Sequence, residues 1–184
     1  MPLSIKIVTT ANRTRFFHQS DEQQMAKSVV LLAGATNIFA SSSLLLSSTL
    51  QAEVFSPRRI ALIELDGDVT PANRQGQLDV LITATDPDDR TPAFDLDDEA
   101  GLRFRVDFYF VGGYVLSTRV DVDNAEATLA DRPRRVTQLS DVPLIWYTSA
   151  GGGVGLMNPS NMTRAVITPA GGIMPADALL VDDF

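Results

Sequence analysis

The sequence predicts a mainly β protein, an antiparallel two-sheet sandwich of the jelly-roll type with one short helix near the N-terminus. Short apolar runs bounded by turn residues recur along the chain, which is typical of such sandwiches. The alternation of strands and helices that a doubly wound sheet requires is missing after residue 40. A length of 184 residues suits one compact domain, so we expect a single β-sandwich domain over 1–184.

Composition excludes several classes of function. The chain has no Cys and a single His, His18, which rules out disulfides, thiolate metal sites and sites built on two imidazole ligands. Its net charge of −8 argues against a nucleic-acid groove, because phosphate binding depends on clustered Lys and Arg. The acidic groups are mostly Asp and the basic groups mostly Arg, a skew that fits adaptation to high salt or GC-rich coding.

The first elements are a strand and the one helix. Segment 3–7 alternates apolar and polar residues, the period-two pattern of a half-buried strand. Ser20, with Gln23 three places later, matches a capping box, so a helix should begin at about residue 21. Gly34 suits the left-handed position that follows a helix. Apolar residues at helical spacing form one face of this helix: Met25, Val29 and Leu32.

Strand composition dominates the rest of the chain. The predicted strands are 44–46, 60–65, 78–84, 142–148 and 164–168. The Gly-rich segment 151–155 follows a strand, but no Lys accompanies it and Pro159 stands where a phosphate-binding helix should start. We therefore interpret it as a turn or hinge and not as a nucleotide loop.

Segment 103–122 predicts a β-hairpin. Its even-numbered apolar residues share one face of the first strand: Phe104, Val106, Phe108 and Phe110. A three-residue loop at 112–114 would place apolar residues opposite one another, with Phe110 facing Leu116. The same register would set opposite charges across the strands: Asp107 with Arg119, and Arg105 with Asp121.

Segment 28–52 contains no charged residue, so a membrane span is one interpretation of it. Its many Ser and Thr hydroxyls would lack partners in hydrocarbon, so a helix end, a loop and a buried strand are the preferred interpretation. Membrane contact should be peripheral at most. The first 27 residues include Asp21 and Glu22 and lack a basic region before an apolar one, so no secretory signal is predicted.

An acidic loop at 86–99 is the best candidate for a ligand site. Calcium needs six to eight oxygen ligands, and this loop offers carboxylates on a chain segment with turn composition. The candidate metal ligands are Asp86, Asp88, Asp89, Asp95, Asp97 and Asp98. The alternative is a solvated surface loop, because the spacing does not match an EF-hand. No other cofactor is expected.

No catalytic residue is predicted. A lone His18 beside two Phe residues is typical of a structural or exposed residue, and no Ser lies in a Gly-x-Ser-x-Gly elbow. Small basic islands at 58–59 and 132–135 stand out on the acidic chain. They are either isolated surface arginines or docking points for the acidic loop of a neighbouring subunit.

The length, the acidity, the alternating run 104–110 and the acidic loop 86–99 carry a resemblance at the level of pattern. The chain resembles the small single-jelly-roll capsid proteins of halophilic icosahedral viruses that have an internal membrane. The resemblance implies upright barrels that tile a virion shell as two related subunit types, so the partners would be copies of this chain and related shell subunits. It implies no enzyme activity and no contact with nucleic acid.

The predicted function is therefore a structural subunit of a large assembly, most simply a viral capsid protein located in the virion. The alternative from another class is a calcium-dependent carbohydrate-binding or adhesive β sandwich, whose site would be the acidic loop. An enzyme that uses scattered carboxylates is a third class, but carboxylate pairs are not specific in a chain with 23 acidic residues.

Overall fold

The computed structural model describes residues 2–34, 37–48, 51–67, 69, 81–88, 102–122 and 140–168. The elements, in chain order, are β1 (Leu3–Thr9), β2 (Thr14–Gln19), α1 (Glu22–Ala33), β3 (Leu44–Ser47), β4 (Ala52–Phe55), β5 (Ile60–Asp66), β6 (Leu81–Ala84), β7 (Leu102–Phe110), β8 (Val115–Val122), β9 (Ile145–Thr148), β10 (Val154–Met157) and β11 (Met162–Thr168). Short 3₁₀ turns lie at Ile38–Ala40, Pro57–Arg59 and Pro159–Asn161.

The strands form one large sheet and one small sheet. Nine strands follow the order β11-β7-β8-β6-β9-β10-β5-β1-β2, and β3 pairs with β4 in a separate hairpin. All neighbours are antiparallel except β6 and β9, which run parallel. The mainly β class with one helix near the N-terminus is confirmed. The sheets are unequal and the large one is mixed, whereas two antiparallel sheets were predicted; the jelly-roll arrangement and the single domain over 1–184 stay predictions.

Strand β5, the third strand from the β2 end of the large sheet, is buried on both faces. One face joins an outer core beneath a covering layer made of α1, the 3₁₀ turn 38–40 and the β3–β4 hairpin. The other face joins an inner core with residues of β8 and β7, which lie four and five strands away along the sheet. The large sheet therefore folds over so that β7, β8 and β11 pack against β5 and β1, a sandwich-like packing. Burial on both faces explains why β5 is a continuous apolar run.

The β7–β8 hairpin forms in a different register from the predicted one. Its loop is 111–113, so Phe108 lies opposite Leu116 and Val106 lies opposite Thr118. Tyr114 lies directly before β8, where its carbonyl oxygen accepts from the Phe110 N–H at 2.9 Å and its ring packs against Phe110 at 6.3 Å between centroids. A shift of two residues leaves every side chain on its predicted face, so the core face is as expected although the partners are not.

The charged residues of this hairpin pair along each strand, and the predicted cross-strand pairs are wrong. Arg105 Nε donates to Asp107 Oδ1 at 2.9 Å, and Arg119 Nε donates to Asp121 Oδ2 at 3.0 Å. The observed register sets Arg105 opposite Arg119, and each guanidinium is neutralised by the carboxylate two residues further along its own strand.

The helix caps differ from the predicted ones. Asp21, and not Ser20, is the N-cap, since its carboxylate accepts a hydrogen bond from the backbone N–H of Gln24 at 2.9 Å. Gly34 ends the helix with φ −90°, so the left-handed conformation predicted there is wrong. The helix nevertheless begins one residue after the predicted start.

Three strands were not predicted: β2, β4 and β10. Neither β2 nor β10 alternates apolar with polar residues, which removes the period-two signal. The predicted strand 142–148 begins only at Ile145. The predicted strand 78–84 is found as β6 at 81–84, and residues 78–80 lie outside the described residues. The uncharged segment 28–52 contains the end of α1, a loop and β3, as predicted, but β3 is only half-buried.

Candidate assembly surface

The covering layer is apolar on its outside as well as on its inside. In the β3–β4 hairpin, Leu44 and Phe55 face inward, and Phe55 packs edge-on against Phe17 of β2 at 6.0 Å. The alternate pair, Leu45 and Val54, faces outward with 56% and 71% of its surface exposed. A two-stranded sheet with an apolar cross-strand pair on each face has the composition of a sheet that is covered on both sides.

Helix α1 repeats this arrangement. Leu32 is buried, and Met25 and Val29 are partly buried against the outer core, as their spacing predicted. Val30 and Leu31 point the other way and are 73% and 55% exposed. The apolar run 29–33 thus continues past the buried stripe of the helix, so its last turns expose apolar side chains that an amphipathic surface helix would replace by polar ones. We call Val30, Leu31, Leu45 and Val54 together the assembly surface.

A groove of about 330 Å³ runs between α1, β2 and the β3–β4 hairpin. Its lining residues are Ile5, Phe17, His18, Gln19, Gln24, Ser28, Leu45, Leu46, Ser47, Ser48, Gln51 and Glu53. Leu31 follows Ser28 on the same face of the helix, three residues further on, and Leu45 forms part of the opposite wall. The groove therefore includes Leu45 of the assembly surface, and its helical wall ends one turn before Leu31.

One ion pair lies beside this groove, because its acidic partner, Glu53, is a lining residue. Arg15 of β2 donates from Nε to Glu53 Oε2 of β4 at 3.0 Å, and its Nη2 contacts Glu53 Oε1. The hydrogen bond from Arg15 holds the pKa of the Glu53 carboxyl below its ordinary value, and the same contact raises the pKa of Arg15. Both charges are thus retained over the physiological pH range and neutralise each other.

The four residues of the assembly surface are uncharged on a strongly acidic protein, and the charge nearest to them on α1 is the exposed Lys27, one turn before Val30 and Leu31. Three of its four residues lie in the segment 28–52, which has no charged residue, and Val54 follows soon after that segment. With a net charge of −8, two copies of the chain repel each other wherever their acidic surfaces meet. A neutral apolar face is the part of such a protein that another copy can approach at the lowest electrostatic cost.

The second cluster of reactive side chains is a buried network on the inner side of the large sheet. Lys6 Nζ donates to Glu64 Oε2 at 2.7 Å, and the Tyr147 hydroxyl donates to Glu64 Oε1 at 2.8 Å. Lys6 also lies 5.9 Å above the ring of Tyr114. The ring of Tyr147 fits over Gly155, because a Cβ added there would lie 2.2 Å from the ring. Sequence reasoning missed this network, since its members are 58 and 83 residues apart.

The environment fixes the charges in this network. Burial opposes the charge of Lys6, but the hydrogen bond and negative charge of Glu64 outweigh it and raise the pKa of Lys6 above 10.5. Burial raises the pKa of Tyr147 well above 10, and the charge of Glu64 adds to the effect. The phenol is therefore neutral and the amine charged at every physiological pH, so the arrangement is that of a structural ion pair with a phenol donor.

The Gly-rich turn 149–153 is held by a neighbouring carboxylate. Ser149 Oγ donates to Asp66 Oδ1 at 2.5 Å and accepts from the backbone N–H of Gly153 at 3.0 Å. A Cβ at Gly153 would lie 2.1 Å from the carbonyl oxygen of Leu65, so the close approach requires glycine. The segment is a turn, as predicted, and then continues into β10.

Two members of the predicted calcium site can be placed. Asp86 and Asp88 lie on the exposed turn after β6, where Asp86 Oδ1 accepts from the backbone N–H of Asp88 at 2.9 Å. The remaining candidates lie outside the described residues: Asp89, Asp95, Asp97 and Asp98. Over the described segments, no three Asp, Glu or His side chains gather as a metal site. Calcium binding by the acidic loop stays a prediction.

The other singled-out residues fall in separate places. His18 is exposed and lines the groove. Among the described residues that line the groove, Glu53 is the one other titratable side chain. Arg58 and Arg59 are exposed on the 3₁₀ turn before β5, and the second basic island, 132–135, lies outside the described residues. Where the chain is described, no helix has both the length and the hydropathy needed to cross a membrane.

Comparison of the chain with protein-family models, curated proteins and solved structures finds no match.

Proposed function

We propose that this protein is a structural subunit of an assembly of its own copies, joined through the assembly surface. The observation that carries the proposal is that the last turns of α1 and the β3–β4 hairpin bury apolar residues on one side and expose apolar residues on the other, within and next to a segment without charge. Exposed apolar residues grouped beside a groove, and not scattered, mark interaction surfaces. An anionic lipid surface would instead select clustered Lys and Arg, which segment 28–52 lacks.

The particular assembly that we favour is a virion shell, with the chain as a jelly-roll-type capsid protein of a halophilic virus. A halophilic virus assembles at high salt, and salt weakens the electrostatic repulsion between acidic subunits. The Debye length falls from about 10 Å at 0.1 M to about 3 Å at 1 M salt, so repulsion between copies of charge −8 is screened. Apolar contacts lose nothing under the same conditions, and association should therefore increase with salt.

The test is the molar mass of the purified chain by light scattering, at low and at molar salt. We expect oligomers that grow with salt in the wild type, and a dissociation constant raised about tenfold or more by Leu45→Glu, since the new carboxylate would be buried unpaired. Val115→Glu is the matched control, because Val115 is 40% exposed on β8 away from the assembly surface. A monomeric wild type at every salt concentration contradicts the proposal, and so does equal weakening by both variants.

A further inference from the structure

We infer that the free edge of β2 is a second contact of the assembly, where β2 of another copy adds as an antiparallel strand related by a two-fold axis. The inference rests on the proposed function and names a part of the chain that joins copies. In the described part of the chain β2 pairs with β1 alone, through six consecutive residue pairs from Leu3–Gln19 to Val8–Thr14. Its other edge therefore presents backbone N–H and C=O groups to solvent.

Strand β2 lacks the features that protect edge strands from pairing. Its six residues include no Pro, Gly, Lys or acidic side chain, and its register with β1 has no bulge. Phe16, in the middle of the strand, is 62% exposed. Proteins usually protect an exposed edge with bulges, inward charges, Lys or Pro. An unprotected flat edge with an exposed aromatic side chain is a template for another strand.

The opposite edge of the sheet provides a contrast within the same molecule. Strand β11 is also an edge, but its register with β7 shifts between Met162 and Arg164. Arg164 lies over the ring of Tyr109, with 4.0 Å from its guanidinium carbon to the ring centroid, and places a charge near the start of the edge. The bulge and the charge protect β11, whereas β2 has no bulge and its one permanent charge, Arg15, is paired with Glu53.

The occupant that fits the β2 edge is β2 of a second copy. Antiparallel pairing about a two-fold axis would place the exposed Phe16 side chains of the two copies on the same face of the extended sheet. Neighbouring aromatic side chains on one face stabilise a pair of strands. Arg15, the one permanent charge of the strand, is held by Glu53 of its own chain, so two copies of Arg15 do not meet as free charges. The edge also adjoins the groove, since Phe17, His18 and Gln19 line it. It is therefore continuous with the assembly surface.

The absence of Cys from the chain allows a direct test by single introduced cysteines. Thr14, Phe16 and His18 share one face of β2, and a residue on the two-fold axis lies opposite its own copy. Directly opposed Cβ atoms are about 4.5–5.5 Å apart, which a disulfide can bridge after a small adjustment. We expect mild oxidation of the purified variants to give a disulfide-linked dimer at one of these three positions. Val166→Cys on the β11 edge is the matched control and should stay monomeric on a non-reducing gel.

A charge variant tests the same contact without a covalent bond. Phe16→Lys should raise the dissociation constant of the assembly about tenfold or more, while Val166→Lys should leave it unchanged. Both side chains are exposed, so the thermal midpoint reports that each variant is folded. If the wild type assembles but no β2 cysteine cross-links and Phe16→Lys assembles normally, the β2 contact is wrong and the proposed function stands. If the wild type is monomeric throughout, both the β2 contact and the proposed function are wrong. Cross-linking of the Val166→Cys variant equal to that of the β2 variants also overturns the inference.

Discussion

The buried network makes a quantitative prediction about stability. Glu64→Gln keeps the shape of the side chain but leaves the Lys6 ammonium without its anion. Removing one partner of a fully buried pair typically costs about 3–5 kcal/mol. Glu64 has 8% of its side chain exposed, but Lys6 has 24%, so water compensates part of the loss. We expect the free energy of unfolding to fall by about 2–3 kcal/mol.

A double-mutant cycle separates the ion pair from other effects of the substitution. Lys6→Met leaves the carboxylate buried with the Tyr147 hydroxyl as its remaining donor, and it too should destabilise. The double variant Lys6→Met/Glu64→Gln removes both charges, so its loss should fall short of the sum of the single losses by about 1 kcal/mol or more. Urea unfolding, monitored by two probes to check two-state behaviour, measures all four proteins.

The exposed pair on β8 is the control for this cycle. Arg119 is bound to Asp121 at 3.0 Å and has 47% of its side chain exposed, so Arg119→Gln should cost less than about 1 kcal/mol. If Glu64→Gln costs no more than this control, or if the two single losses simply add, the reasoning about the network is refuted.

Three further predictions concern the same fold. Above about pH 10 the wild type should lose stability steeply, because the folded state holds protons on Lys6 and Tyr147 that the unfolded state releases; Tyr147→Phe should flatten this slope in unfolding curves measured against pH. Gly155→Ala should lower the free energy of unfolding by about 1–3 kcal/mol, since the methyl group meets the buried Tyr147 ring, and an unchanged urea midpoint would contradict that packing. If the acidic loop 86–99 binds calcium, the thermal midpoint should rise with millimolar calcium and return with a chelator; a midpoint that does not move removes the site.

The local patterns of the chain predicted faces better than partners. In the β7–β8 hairpin the alternation of Phe and Val residues was sufficient to identify the buried face, because that face depends only on the period of two. The register depended on which residues form the loop. Tyr114 was assigned to the loop, but its ring gains more by packing on Phe110 and facing Lys6 within the fold. That gain is a tertiary effect which no local pattern contains.

The assembly surface was only partly visible in the sequence. The sequence shows that 28–52 has no charged residue, and it predicts a helix end, a loop and a buried strand there. What the sequence did not show is that α1 and the hairpin form one layer, so that Ser28 and Leu45 line the same groove. Which side chains of α1 and the β3–β4 hairpin are exposed depends on how this covering layer packs on the outer core.

Strand β2 was missed for a related reason. Its sequence, with two adjacent Phe residues between polar ones, lacks alternation because one Phe packs into the outer core and the other is exposed. Phe17 is recognisable as a core residue only through its contact with Phe55, which is far away along the chain. The exposed Phe16, which looks like a violation of the pattern, is the residue on which the inferred strand pairing depends.

Hydrogen exchange of the assembled protein tests most directly whether α1 and the β3–β4 hairpin are covered by other copies. Amide protection in both elements should rise with protein concentration and with salt in the wild type, and should stay at the monomer level in Leu45→Glu. Oligomers whose protection increases elsewhere, while α1 and the hairpin exchange as in the monomer, would contradict the account.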